Sequence, residues 1–356
     1  MQSLSGPRGR AALRDDLPDR CAPVCRGERT GREEDRGRYC GALAALEAAV
    51  IGWTGWRLAF SLLIFPGFLF TVLVGFVLSW VDRLVTARVQ FRKGPPFIQP
   101  FADFFKLMLK QTIVPEGASA LVFLFAPMLG VIAMTVATVI LWNASFGGSG
   151  FVGDVLVLVY LFALPPLGLI IGASASRNPL AAVGASREMT LYFGYEFPFL
   201  LALLVPIIKS GGQVQLEALV AAQAGAPFLG SVSGVIAAII VLLVTQAKLG
   251  LVPFDTAEAE QEIMTGVYTE YSGVALAMFK LTRAMMMVVM PLFLVTVLWG
   301  GFASWWAILK FLAIIVLVVL IRNTNPRLRV DQALRFFWFG LGGLGIVAVI
   351  LALAGI

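Results

Sequence analysis

Five carboxylates fall within sixteen residues of the stretch LVPFDTAEAEQEIMTGVYTEYSG: Asp255, Glu258, Glu260, Glu262 and Glu270. Acids this close raise one another's proton affinity, the behaviour required of groups that must gain and lose protons. At 100° per residue, Asp255, Glu258 and Glu262 would lie within about 60° of one another on a helix, with Glu260 pointing away. The same spacing is also a capping box, with Asp255 as N-cap, and a solvated acidic face is the plainest alternative. Pro253, Phe254, Gly266 and Tyr271 argue against a simple surface helix, because they make the loop itself apolar.

A second set of chemical groups sits in REMTLYFGYEFPF. Glu196 follows Glu188 by eight residues, which places it roughly 12 Å deeper along a helix. A carboxylate at that depth is costly in lipid and faces a bundle interior or a water-filled path. Pairing with an arginine is the structural alternative, and Arg187 adjoins Glu188. Tyr192 and Tyr195 could extend a hydrogen-bonded path. Lys280 and Arg283, three apart on one helix face, either snorkel toward an interface or pair with Glu196 or the loop acids and tune their proton affinity.

The elements that must hold these groups are membrane helices. The chain is 59% hydrophobic and 13% charged, too apolar for an ordinary soluble domain, and several stretches run for about 20 residues almost without charge. Eight spans are predicted: 57–81, 120–142, 152–173, 188–208, 230–250, 273–299, 305–321 and 332–355. Lys and Arg concentrate in the loops after spans one, three and seven, so those loops and the acidic one after span five face the cytoplasm and both termini face outward. The formal charge of +6 is spent on orientation and does not imply nucleic acid. With no histidine in the chain, histidine-bound zinc, haem and diiron sites are excluded. Cys21, Cys25 and Cys40 all lie in the first forty residues, so the membrane body cannot hold an iron-sulfur cluster by thiolate ligation. Residues 1–40 carry nine Arg and seven acids without apolar periodicity, a composition that predicts disorder. The division is therefore an N-terminal extension, 1–56, and a membrane domain, 57–356.

The first cytoplasmic loop contains an interfacial amphipathic helix opened by Pro100. Asp103, Lys106 and Lys110 share one face, and Phe101, Phe104, Phe105 and Met108 crowd the other. With Arg92 and Lys93, Asp103 and Lys106 are the candidate contacts for a docking partner; simple surface anchoring is the alternative. The expected fold is an all-α integral membrane protein: about eight transmembrane helices, an interfacial amphipathic helix and an acidic cytoplasmic loop.

These segments resemble a known family. PFDTAEAEQEIMTGVYTEYSG resembles the acidic third-loop motif of the H subunit of NADH-quinone oxidoreductase (complex I). GASREMTLYFGYE is similar to its span-four segment, with Glu196 at the matching acid. NPRLRVDQALRFFW is similar to its arginine-rich entry to the last span, with Asp331 and Gln332 in place. The resemblance covers about residues 57–356. Two departures, a first loop that runs from Gly94, Pro95 and Pro96 straight into the helix and Arg283 where quinone-linked members carry glutamate, look more like the equivalent subunit of group 4 membrane-bound nickel-iron hydrogenases, including formate hydrogenlyases.

The resemblance implies a membrane subunit of a prokaryotic plasma-membrane oxidoreductase, without cofactors, metal or catalytic residues of its own. It would anchor a cytoplasmic arm carrying iron-sulfur clusters and a nickel-iron site in hydrophilic partner subunits. Asp255, Glu258, Glu260, Glu262 and Glu270 would relay redox changes to Glu188 and Glu196, tuned by Arg187, Lys280, Arg283 and Asp331, and onward to antiporter-like subunits that move protons or sodium. The alternatives are the quinone-site subunit of an NADH-quinone oxidoreductase, a stand-alone secondary transporter, for which the halves show no convincing repeat, and a purely structural anchor.

Overall fold

The computed structural model describes residues 55–146, 153–302 and 305–355, except for the side chains of residues 55–58 and 260–261. These residues belong to one unit, Thr54–Ile356. The expectations for residues 1–40 and for the three cysteines lie outside the described residues.

The described chain is helical. Among the described residues, seven helical segments are long and apolar enough to cross a membrane. The first is broken into α1 (Gly55–Leu63) and α2 (Phe68–Val89), where Pro66 has no N–H to continue the ladder. Then come α3 (Gln99–Met108), α4 (Ala120–Ser145), α5 (Asp154–Ala175), α6 (Pro179–Lys209) and the short α7 (Leu216–Ala222). An eighth apolar helix, α8 (Val232–Lys248), has 17 residues, about 25 Å of rise and the lower limit for a span. After the one-turn α9 (Glu260–Ile263) come α10 (Gly273–Leu298) and α11 (Trp306–Thr324). The last crossing is α12 (Val330–Arg335), a π-turn over Phe336–Leu341, and α13 (Gly342–Leu353).

Two boundaries differ from the sequence reading in ways that move the site. Helix α6 starts at Pro179, capped by Asn178, whose Oδ1 accepts from Leu180 N at 2.8 Å. A cap followed by Pro at N1 is a strong start signal, but the charged pair Arg187–Glu188 made that stretch read as loop. Glu188 therefore lies nine residues inside the helix rather than at its mouth. Helix α3 ends at Met108, so Lys110 is beyond it and shares no helical face with Asp103 and Lys106.

Helix α10 is the axis of the bundle. In its most apolar stretch 94% is buried, against 28% for α11 and 33% for the last crossing, and α2, α4 and α8 pack around it. Phe162 of α5 meets Phe293 edge to face at 5.0 Å, and Phe199 of α6 joins them at 6.0 Å from Phe293. At the end away from the acidic loop, the Gln223 amide nitrogen donates to the carbonyls of Leu219, Thr296 and Val297, while its oxygen accepts from Gly300 N at 2.7 Å. Lys310 Nζ donates to the Trp299 carbonyl beside it. Helix α3 does not rest on a surface alone: Phe101 and Phe104 lie 5.0 and 5.4 Å from Phe76 of α2, whereas Phe105 stays exposed.

Candidate functional site

The chain between α8 and α10 is not the single helix that the spacing of acids allowed. Asp255 is no N-cap and Glu258 closes no capping box, because the α-helical turn there begins only at Glu260, Met264 at φ 57° and Gly266 at φ 51° break it, and a 3-10 turn follows over Gly266–Tyr268. The acids do not share a face; each described one is taken up by a different helix or loop. Asp255 accepts from Arg327 at 2.7 Å, Glu258 from Arg283 of α10 at 2.6 Å, and Glu262 from Arg187 of α6 at 2.5 Å. Glu270 accepts from the Asn178 amide at 2.5 Å. A continuous helix would have stacked like charges, whereas this path gives each its own donor. The side chain of Glu260 lies outside the described residues.

Arg283 is held by more than its carboxylate. It also donates to the carbonyls of Leu249 and Gly250, both at 2.9 Å, so it fastens the end of α8 as well as Glu258. Of the two expected placements for it, pairing with a loop acid is the one found. Lys280, one turn earlier, is exposed and borders a cavity of about 240 Å³ beneath α3. That cavity is also lined by Asp82, Arg83, Asp103, Arg283 and Arg322. Arg83 pairs with Asp103 at 2.7 Å and Arg322 with Asp82. Burial acts to raise the Asp103 carboxyl, but hydrogen bonds from Arg83 and Gln99 outweigh it and hold it below the usual range. Arg92, Lys93 and Lys106 are exposed.

Glu188 is buried and lines a cavity of about 50 Å³ with Lys248, Glu258, Tyr268 and Arg283, room for a water molecule. On the outer side of the loop, Asp255, Glu262, Arg187, Arg327, Arg329 and Asp331 border a larger cavity of about 500 Å³. Asp255 thus stands between Arg327 and the interior. Burial, and then the neighbouring Glu258, pushes its carboxyl from 3.8 up to about 6, against the pull of Arg327 and Arg283. Burial and Glu258 likewise push the Tyr268 hydroxyl well above its ordinary value.

Deeper in the bundle, Glu196 pairs with Lys248 at 2.7 Å, not with an arginine and not with Lys280 or Arg283. Lys248 does not stand out in the sequence because it ends an apolar helix, where snorkelling is the ordinary outcome. Tyr268 is equally inconspicuous as a site residue, as is the Asp82–Arg322 pair. The only sequence signal for that pair is an acid at the polar end of the first span. Among the described residues no group of three or more His, Cys, Asp or Glu is placed to hold a metal ion.

A bundle of apolar helices of this kind agrees with what comparison with known proteins returns. The family model described as NADH dehydrogenase matches residues 61–353. The chain belongs to that family. The NADH-quinone oxidoreductase H subunit of Thermomicrobium roseum is 35% identical over 76% of this chain and 88% of its own length. Its counterpart in Geobacillus thermodenitrificans is 31% identical over 84% of this chain and 95% of its own. Among solved structures, a chain of the membrane-bound sulfane sulfur reductase, an archaeal respiratory membrane complex, matches with a TM-score of 0.73 and 26% identity, covering 80% of this chain and 96% of that one. This member of the NADH dehydrogenase family is a multi-pass membrane protein and a membrane subunit of an oxidoreductase complex of the complex I type.

Proposed function

We propose that the chain is the coupling and anchoring subunit of a complex I-like membrane-bound hydrogenase in a prokaryotic plasma membrane, linking electron transfer in a cytoplasmic arm to proton or sodium movement. The iron-sulfur clusters and the nickel-iron site would belong to hydrophilic partner subunits, and antiporter-like subunits would receive the signal within the membrane. The observation that carries the coupling role is the Glu258–Arg283 pair beside the cavity of Glu188. It ties the acidic loop to the axial helix next to a buried carboxylate, so a change of field at the loop acts on an intramembrane acid. Replacing Glu196 with Gln should abolish ion translocation while the complex still assembles; retained translocation would sink the relay.

The names of the relatives favour a second reading, a quinone-site subunit. Against it stands the cavity beneath α3. Six of its sixteen lining residues are ionic, whereas ligand pockets carry only a small number of polar groups. Nickel and iron analysis of the intact complex, with extraction of bound quinone, separates the readings. Nickel with abundant iron supports the hydrogenase. Iron without nickel moves the assignment to a quinone-linked or sulfur-reducing arm.

A further inference from the structure

Lys248 is a buried cation that the relay of acids leaves without a task. Its side chain is wholly enclosed, its ammonium donates to Glu196 Oε2 at 2.7 Å, and it lies 5.0 and 4.8 Å from the ring centres of Tyr195 and Phe199. It also borders the cavity that holds Glu188. Between the two glutamates, the Tyr195 hydroxyl is buried without a partner among the described residues, with Glu188, Glu196 and Tyr192 as its ionisable neighbours.

A wholly enclosed ammonium beside a carboxylate only 16% exposed has little advantage over the neutral pair, because most of the water around the two charges has been removed. If a fixed positive charge were all that Glu196 needed, arginine would serve; lysine is the cation that gives up its proton readily on burial. We propose that Lys248 is a proton carrier of the relay, giving its proton to Glu196 and being reloaded from the Glu188 side. The proton leaves Nζ and joins Oε2, leaving an amine and a carboxylic acid. The amine regains a proton from Glu188 through water in the cavity or the Tyr195 hydroxyl, and no electron moves. This rests on the coupling reading above.

The test uses the intact complex in proteoliposomes, driven by reduced methyl viologen, with Lys248→Arg and Glu196→Gln. Loss of translocation in Lys248→Arg, with viologen oxidation and assembly preserved, is the expected result. Wild-type translocation in Lys248→Arg, alongside its loss in Glu196→Gln, overturns the carrier and leaves the relay standing. Translocation in Glu196→Gln overturns both. Should Lys248→Arg fail to assemble, redox-difference infrared spectra of the wild-type complex with 15N-lysine decide. Loss of an ammonium band matched by a new carboxylic acid band is expected, and no isotope-sensitive band rejects the carrier.

Discussion

Asp255 has one oxygen on Arg327 and the other buried with no partner among the described residues. A carboxyl held near 6 rather than 3.8 is penalised by folding when ionised. The sign follows: the stability associated with this group is fully present below about pH 4, falls as pH rises to about 6, and stays lowered above. Thermal unfolding of the complex should therefore show a falling component in that window, and Asp255→Asn should remove it. Arg327→Ala should push the infrared-detected titration of Asp255 higher still, since a lowering partner is lost. An unchanged midpoint would show that the pair does not act on it. The residue types were readable: a dense acidic loop beside a bundle announces coupled titration. Of the partners only Arg283 was within reach, as one of two readings; Arg327 and Arg187 are 72 and 75 positions away in sequence from the acids they meet, and no local pattern encodes such pairing.

At the scale of elements, helix α6 and the loop are fitted at Gly184. A Cβ there would come within 2.8 Å of the Val267 amide nitrogen and 3.1 Å of Gly266 C, and backbone cannot yield as a flexible side chain does. Gly184→Leu should unseat the loop, seen as faster hydrogen exchange over residues 255–271 with α10 still protected. Normal exchange there would mean that the close approach does not hold the loop. Hydrophobic runs made the existence of the crossings plain, since an apolar stretch of that length has few other uses. Their ends were less plain. Charge at Arg187 and Glu188 reads as a loop, yet a partner for one and a cavity for the other lie within the protein. The loop's own shape escapes periodicity, which treats a run of acids as a helix face, whereas the left-handed turns at Met264 and Gly266 divide it.

For the molecule as a whole, the ion pairs among the described residues collect toward one end. Successive crossings alternate in direction, so the end of α2, the start of α6, the end of α8, the start of α10 and the end of α11 meet there. The pairs differ in access to solvent: the Glu262 side chain is 60% exposed, while that of Lys248 is 0%. Salt screens exposed pairs and spares enclosed ones. Raising ionic strength should therefore loosen the loop before it touches the Glu196–Lys248 pair. Hydrogen exchange at residues 255–271 should quicken with salt while α8 and α10 stay unchanged, and a uniform response would contradict this ranking.

The Gln223 clasp at the opposite end gives the bundle a fulcrum. Thr296 and Val297 are gripped there, and Arg283 lies thirteen residues away, a lever arm of about 20 Å along α10. Hydrogen bonds at the far end oppose a sliding of the axial helix more than a swing of its Arg283 end. A sideways displacement of about 1 Å at the arginine is a rocking of about 3° over that arm, largest at the mouth of the bundle and vanishing at the clasp. A swing of that kind is confined to the half of the bundle that holds the ion pairs.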